Sequence, residues 1–315
     1  MNILVCKRVD GAWGYITDSY INALRDVGHR VTRWDGLYES WQDFNPDLYI
    51  GCSGHRQPIP PKRNAKIAIH VNPYGPVKIN GINESDDAIR WALNQSPDVV
   101  FGYGHDDDAI LWSYWNKKHQ IRWIPMPNAG DKTIFRRTLE VDKRYDLIYL
   151  GGRWQYKALT IDSYLLPVLD AIHNHKICGW GDWPVKYNVK GLADDQASSF
   201  LGSGRIGPCI SEKHTHSHGL DIPERAFKVA LSGTLVIHDA TLAIKRMIPS
   251  ALVAATPSHF LELCRHFVNP KNQQERVEIT ECQRKEVLQA HTYHHRMSVL
   301  LRAVGFEKEA DELLR

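Results

Sequence analysis

The chain has 315 residues, 43% hydrophobic and 24% charged, which excludes a disordered or fibrous polymer and leaves room for two domains. Its 39 Lys+Arg against 36 Asp+Glu give a net charge of +3, too balanced for a dedicated nucleic-acid binder, although a local basic face stays open. Six scattered cysteines without a C-x-x-C argue against a zinc ribbon or disulfide framework, and no apolar run approaches the roughly 18 residues of a membrane span, so the expected location is the cytoplasm.

Asn2 to Cys6 reads as a short apolar strand, Lys7 to Gly14 as a glycine-containing loop, and Tyr15 to Val27 as a helix with Ile16, Tyr20, Leu24 and Val27 on one face. Gly28 fits a left-handed C-terminal cap, and Arg30 to Arg33 begins a second strand. Strand patterns follow at Asp47 to Gly51, Lys66 to Val71, Asp98 to Gly102 and Ile121 to Ile124, with a helix at Glu84 to Asn94. After Pro125-Met-Pro-Asn128 the pattern restarts. Tyr145 to Leu150, His175 to Cys178, Gly204 to Ile210 and Thr234 to His238 read as strands. Ile161 to His173, Pro223 to Ser232 and His259 to Phe267 read as helices, and Gln273 to Val304 as one long amphipathic helix. Such alternation builds parallel sheets with helices on both faces. The expectation is an α/β chain: a first domain over 1–128, a connection over 129–144, a second domain over 145–280, and helices over 281–315. Open parallel sheets bind ligands at the carboxyl ends of their strands.

Four segments carry a family resemblance: Tyr145-Asp-Leu-Ile-Tyr-Leu-Gly-Gly152, Ile177-Cys-Gly-Trp-Gly-Asp-Trp183, the run from Ile222 to Asp239, and His291-Thr-Tyr-His-His-Arg296. In this order they resemble the C-terminal domain of two-domain (GT-B) glycosyltransferases, in particular the CgeB-like, spore-maturation branch of the group 1 transferases. Pro125 to Phe135 resembles that family's interdomain stretch. The resemblance implies two Rossmann-like domains facing a cleft and transfer of a sugar from a nucleotide sugar to a hydroxyl acceptor. The nucleotide sugar is then a co-substrate, and neither a metal nor another cofactor is expected.

A departing nucleoside diphosphate accumulates negative charge, which backbone N–H groups, helix N-termini and cationic side chains stabilise. Gly151, Gly152 and Arg153 follow a strand and Lys157 lies close behind, so they are donor-binding candidates; a strand-ending turn with solvated cations is the plainer alternative. Gly179-Trp180-Gly181 resembles the family's loop beside the nucleotide base, where the indole ring would stack; a structural tryptophan is the alternative. In Glu224-Arg225-Ala-Phe-Lys228 the family pattern R-x-F-E, whose Glu binds the donor ribose, ends in lysine. A cation accepts no hydroxyl proton but suits phosphate or a carboxylated sugar, and Glu224, set round the helix by about 100° per residue, does not simply substitute. Gly11 and Gly14, flanking Trp13, would let a loop approach the sugar diphosphate.

His55, His70 and His105 each follow an apparent strand and are the candidates for a base that deprotonates the acceptor. Asp106-Asp-Asp108 contains the D-x-D of metal-dependent transferases, but it directly precedes the helical run Ala109 to Trp115, where capping explains it without metal. His214-Thr-His-Ser-His218 would place three imidazoles on one side if extended, and His291 and His295 would share one helical face; neither completes a recognised ligand set. The aromatic and basic run Trp112 to Arg122, with Lys62, Arg63, Lys66, Arg136 and Arg137, suits DNA whose hydroxymethylated base is flipped out as acceptor. A cell-surface or spore glycan acceptor, or a noncatalytic nucleotide-sugar-binding protein, are the alternatives. No G-x-G-x-x-G follows the first strand, which disfavours an epimerase or dehydrogenase.

Overall fold

The computed structural model describes residues 1–8, 11–34, 43–53, 65–71, 85–105, 108–137, 142–219 and 222–315. They form two compact units, Met1–Asn128 with Tyr293–Arg315, and Ala129–Thr292.

The first unit contains β1 (Asn2–Val5), α1 (Ala12–Asp26), β2 (Arg30–Arg33), β3 (Leu48–Cys52), β4 (Lys66–His70), α2 (Ser85–Asn94), β5 (Val99–Gly102), α3 (Ala109–Trp112) and β6 (Arg122–Pro125). Its strands pair in the order β2-β1-β3-β4-β5-β6, all parallel. The strand interiors, such as Ile3, Leu48, Ala68 and Phe101, are fully buried, as expected where helices cover both faces of a parallel sheet. Gly28, at φ +88°, turns the chain out of α1 in the left-handed conformation that a side chain disfavours. A π-helical turn, Ser113–Lys118, continues α3 and buries Trp115 while Trp112 stays exposed.

The second unit contains β7 (Tyr145–Leu150), α4 (Gln155–Thr160), α5 (Leu166–Ala171), β8 (His175–Cys178), α6 (Ala197–Gly202), β9 (Gly204–Cys209), α7 (Lys213–His218), α8 (Arg225–Leu231), β10 (Leu235–His238), β11 (Leu252–Val253), α9 (Pro257–Val268) and α10 (Gln273–Ala290). Its parallel sheet runs β11-β10-β9-β7-β8. Successive residues of β7 feed opposite cores: Leu147 and Tyr149 pack with Leu165 and Phe260, Ile148 with Phe227 and Val236. Full burial of side chains such as Phe227 and Phe260 stabilises the unit by roughly 1.5–3 kcal/mol each relative to exposure.

The helix read as continuous over Gln273 to Val304 is broken at His291-Thr292. There the backbone turns to Gly130: Gly130 N–H donates to the His291 carbonyl at 3.0 Å and Thr292 bridges to Gly130. The segment beyond the break forms α11 (Tyr293–Ala303) and α12 (Glu307–Glu312), which belong to the first unit. Tyr293 meets Tyr20 edge-on at 5.5 Å, His294 Nε2 lies 2.9 Å from Asp26, and Arg296 Nε donates to the Pro127 carbonyl at 2.8 Å. Burial lowers the Arg296 guanidinium to about 10, so it stays charged while holding that carbonyl. Among the described residues no helix is long and apolar enough to cross a membrane.

Candidate functional site

In the second unit the loops leaving β7 and β8 run side by side at the carboxyl edge of the sheet. Gly151 N–H donates to the Cys178 carbonyl and Arg153 N–H to the Trp180 carbonyl, both at 2.9 Å, and Arg153 bridges to Gly181. The contact is close enough that a Cβ on Gly179 would collide with the Gly151 carbonyl, and one on Gly181 with that of Arg153; both glycines also have positive φ. Only glycine combines this approach with this conformation.

Trp180 stacks on Trp154, with centroids 4.8 Å apart and planes 10° apart, yet remains 60% exposed. It also covers Gly152, where an added Cβ would run into the indole. Lys157, buried on α4, places its ammonium 4.8 Å over the Trp154 ring. Trp154 was not singled out from sequence, although its place just after Gly-Gly-Arg is the signal that would have found it.

Arg225 begins α8 and reaches back across the sheet edge. Its Nε donates to the Leu150 carbonyl at 2.5 Å and its Nη1 lies 3.4 Å from the Ile210 carbonyl, joining the ends of β7 and β9. The guanidinium sits 4.4 Å over the Tyr149 ring and occupies the space a side chain on Gly151 would need. Its Nη2 bonds to none of the described residues, so donors remain for an anion. Arg153 is committed differently: Nε and Nη2 form a bidentate pair with Asp162 at 2.9 and 2.7 Å, and Nη1 donates to the Asp182 carbonyl. The Asp162 hydrogen bond raises its pKa further.

Glu224 and Lys228 meet across one turn of α8. Four residues make a little over one turn, and the structure closes a Glu224–Lys228 ion pair at 2.5 Å. Lys228 also lies 5.2 Å over the Phe135 ring.

A buried polar cluster that sequence reasoning passed over adjoins these residues. Asp239, wholly buried just after β10, accepts the Ser211 N–H at 2.6 Å and faces His238 Nδ1 at 2.9 Å and His216 Nε2 at 3.1 Å. Burial pushes its carboxyl up, but the facing imidazoles of His216 and His238 outweigh this and hold it well below the usual carboxylate range. The extended form that would align His214, His216 and His218 is not adopted, because these residues lie in α7, capped by Gly219 at φ +64°. In a helix alternate residues lie about 200° apart, so His214 and His216 do not share a side. The single helical face proposed for His291 and His295 also disappears, since His291 lies in the break before α11.

In the first unit, Trp13 in the first turn of α1 packs edge-on against His70 at 4.2 Å, and Tyr103 lies 5.4 Å from the same imidazole. Gly11 caps α1 at φ +79° and Gly14 is buried inside it. His70 is 2% exposed, its Nδ1 has no partner among the described residues, and burial lowers it to about 3. A ring held neutral in this way has little tendency to take a proton. His105 is half-buried, and its carbonyl accepts from Asp108 N–H at 3.0 Å. Asp108 caps α3, accepting from Leu111 N–H at 3.1 Å. His55, Lys62, Arg63, Asp106 and Asp107 lie outside the described residues. Lys66 pairs with Asp98 at 3.4 Å and Arg137 with Glu281.

A family model described as "Glycosyl transferase-like" matches residues 157–302. T4 phage β-glucosyltransferase in complex with UDP-glucose is 12% identical with a TM-score of 0.60, over 99% of this chain and 100% of that one. Sucrose-phosphate synthase from Thermosynechococcus elongatus is 11% identical with a TM-score of 0.59, over 96% and 98%. An E. coli trehalose-6-phosphate protein bound with UDP-2-fluoro glucose is 9% identical with a TM-score of 0.60, over 96% and 99%. No match was found among curated protein sequences. The likenesses show the GT-B fold: two parallel α/β units with helices at the C-terminus.

Proposed function

We propose that the chain is a nucleotide-sugar-dependent glycosyltransferase of the CgeB-like branch, passing a sugar to a hydroxyl acceptor without a divalent metal or other cofactor. The observation that carries this reading is Arg225, anchored to the carboxyl ends of β7 and β9 with Nη2 left over for a ligand. A guanidinium fixed there is ready to meet the charge that grows on a departing diphosphate, with no reorganisation needed at that moment. Lys157 adds a second cation. The exposed ring of Trp180, steadied by Trp154, offers a stacking face for the nucleotide base. Arg153 shapes the loop through Asp162 and the Asp182 carbonyl, holding the strand-end turn beside Trp180.

In the first unit the donor-binding candidates are Gly11, Trp13 and Gly14. Base duty falls to His105 or His55, because the buried His70 ring resists taking up a proton. For the acceptor we favour DNA bearing a hydroxymethylated base. Trp112 is 46% exposed with Lys117 Nζ 5.4 Å over its ring, and Lys118 Nζ lies 4.8 Å over Tyr114, a combination of aromatic and cationic groups suited to nucleic acid. The T4 phage β-glucosyltransferase with the same fold is a DNA modifying enzyme.

The test is a thermal-shift screen with UDP-, GDP-, ADP-, CDP- and TDP-sugars. One donor class should raise Tm of the wild type by mass action and fail to raise that of Arg225→Ala. A wild-type chain stabilised by none of them contradicts the proposal.

A further inference from the structure

We propose that His216, oriented by the buried carboxylate of Asp239, is a ligand for the diphosphate of the donor. This inference rests on the glycosyltransferase reading and adds a contact to its donor site.

The argument begins with Asp239. Its ionised carboxylate is acceptor-only, so a ring nitrogen set against it carries the proton. His238 supplies Nδ1 from inside the protein, wholly buried, with no partner for its Nε2 among the described residues. His216 supplies Nε2, but its side chain is 21% exposed and its Nδ1 bonds to no described residue. The same carboxylate therefore faces two imidazoles, one sealed in the interior and the other partly exposed. Ser211 N–H and Thr241 Oγ1, at 2.6 and 3.1 Å, fix the carboxylate so that it cannot swing away.

The surroundings point to an anion. The charges of Arg225, Lys157 and Asp239 all reach Cys209 at the end of β9, two residues before Ser211. Helix α7, which carries His216, packs on α4, which carries Lys157. Among the described residues, the Tyr164 centroid lies 6.1 Å from that of His216, and Glu212 and His214, close to it in sequence, face each other at 3.6 Å. With a phosphate oxygen at Nδ1, the ring lies between two anions, which favours the form protonated on both nitrogens. Donor binding is then coupled to uptake of a proton, and the leaving diphosphate receives a charge-assisted hydrogen bond.

The test is calorimetric titration with UDP, GDP, ADP, CDP and TDP at slightly alkaline pH, repeated in HEPES and Tris so that the difference in heat reports proton uptake. The nucleoside diphosphate that binds the wild type should do so with proton uptake. His216→Gln should abolish that uptake and weaken the diphosphate roughly tenfold, with the affinity for the matching nucleoside unchanged. Asp239→Asn should weaken the diphosphate as well, because the amide no longer fixes the ring. Unchanged diphosphate affinity and proton uptake in His216→Gln would overturn this inference alone. Normal diphosphate affinity in Asp239→Asn would overturn the orienting role of Asp239. A wild type that binds none of the five overturns both this inference and the reading it rests on.

Discussion

Glu224 and Lys228 neutralise each other across one turn of α8, Oε2 to Nζ 2.5 Å, with side chains only 12% and 16% exposed. The lysine that stands where the resembling family has a ribose-binding glutamate therefore comes with its own carboxylate. Restoring the family residue at 228 alone would place two carboxylates one turn apart. Lys228→Glu should accordingly destabilise the chain by about 1 kcal/mol, and exchanging both residues, Glu224→Lys with Lys228→Glu, should recover most of that loss. Urea unfolding of the two single variants and the double variant measures it. Equal losses in Lys228→Glu and the exchanged pair would show that the two charges do not act on each other.

Trp180→Ala removes an exposed ring and should alter stability by less than about 1 kcal/mol. Its effect should fall on donor affinity, by about 1–3 kcal/mol if a base stacks on the indole. Titration with the preferred nucleotide sugar, alongside a thermal melt, separates the two effects. A fall in Tm with donor affinity intact would assign Trp180 to packing against Trp154.

His70 makes stability depend on pH. An unfolded imidazole titrates near 6.5, whereas burial holds the folded ring at about 3. Above the unfolded value both states are neutral and this contribution is complete. As pH falls below it the unfolded chain gains a proton that the folded chain refuses, and stability declines until about 3. Between pH ~6.5 and ~5 the loss from this one ring is about 2 kcal/mol. Comparing urea unfolding of the wild type and His70→Leu at both pH values checks this, and an identical pH dependence in the two proteins would refute it.

Asp108 accepts from Leu111 N–H, which makes it a helix cap. Asp108→Ala should cost about 1 kcal/mol of stability and leave metal dependence unchanged. If transfer requires manganese or magnesium in the wild type and Asp108→Ala abolishes it or raises the metal concentration it needs, the acidic run is a metal site.

Much of the fold was legible because a parallel sheet covered on both faces demands apolar runs. Arg30–Arg33, Tyr145–Leu150 and His175–Cys178 could be bounded from such runs and their flanking turns. What escaped had one of two causes. The break at His291-Thr292 depends on backbone bonds to Gly130, far away in sequence, and no local helix-breaking residue announces it. The Asp239 cluster likewise joins Ser211 across 28 residues, and pairings of that range leave no periodic trace. The helical form of Lys213–His218 was readable in principle, since Gly219 stands where a left-handed cap ends a short helix. Of the candidate donor residues, the strand-end glycines and Arg225 were visible as strand and helix boundaries. Which arginine keeps free donors was decided by Asp162, whose pairing with Arg153 only the folded chain reveals.

The most direct test of the central claim is release of nucleoside diphosphate from a panel of nucleotide sugars, measured in excess EDTA with hydroxymethylated DNA and glycan acceptors. The account predicts that one donor is consumed, that an acceptor accelerates its consumption, and that Arg225→Ala reduces the rate by at least about tenfold while the protein stays folded. Absence of diphosphate release from every donor by the wild-type chain, with or without acceptor and with or without added manganese, would contradict it.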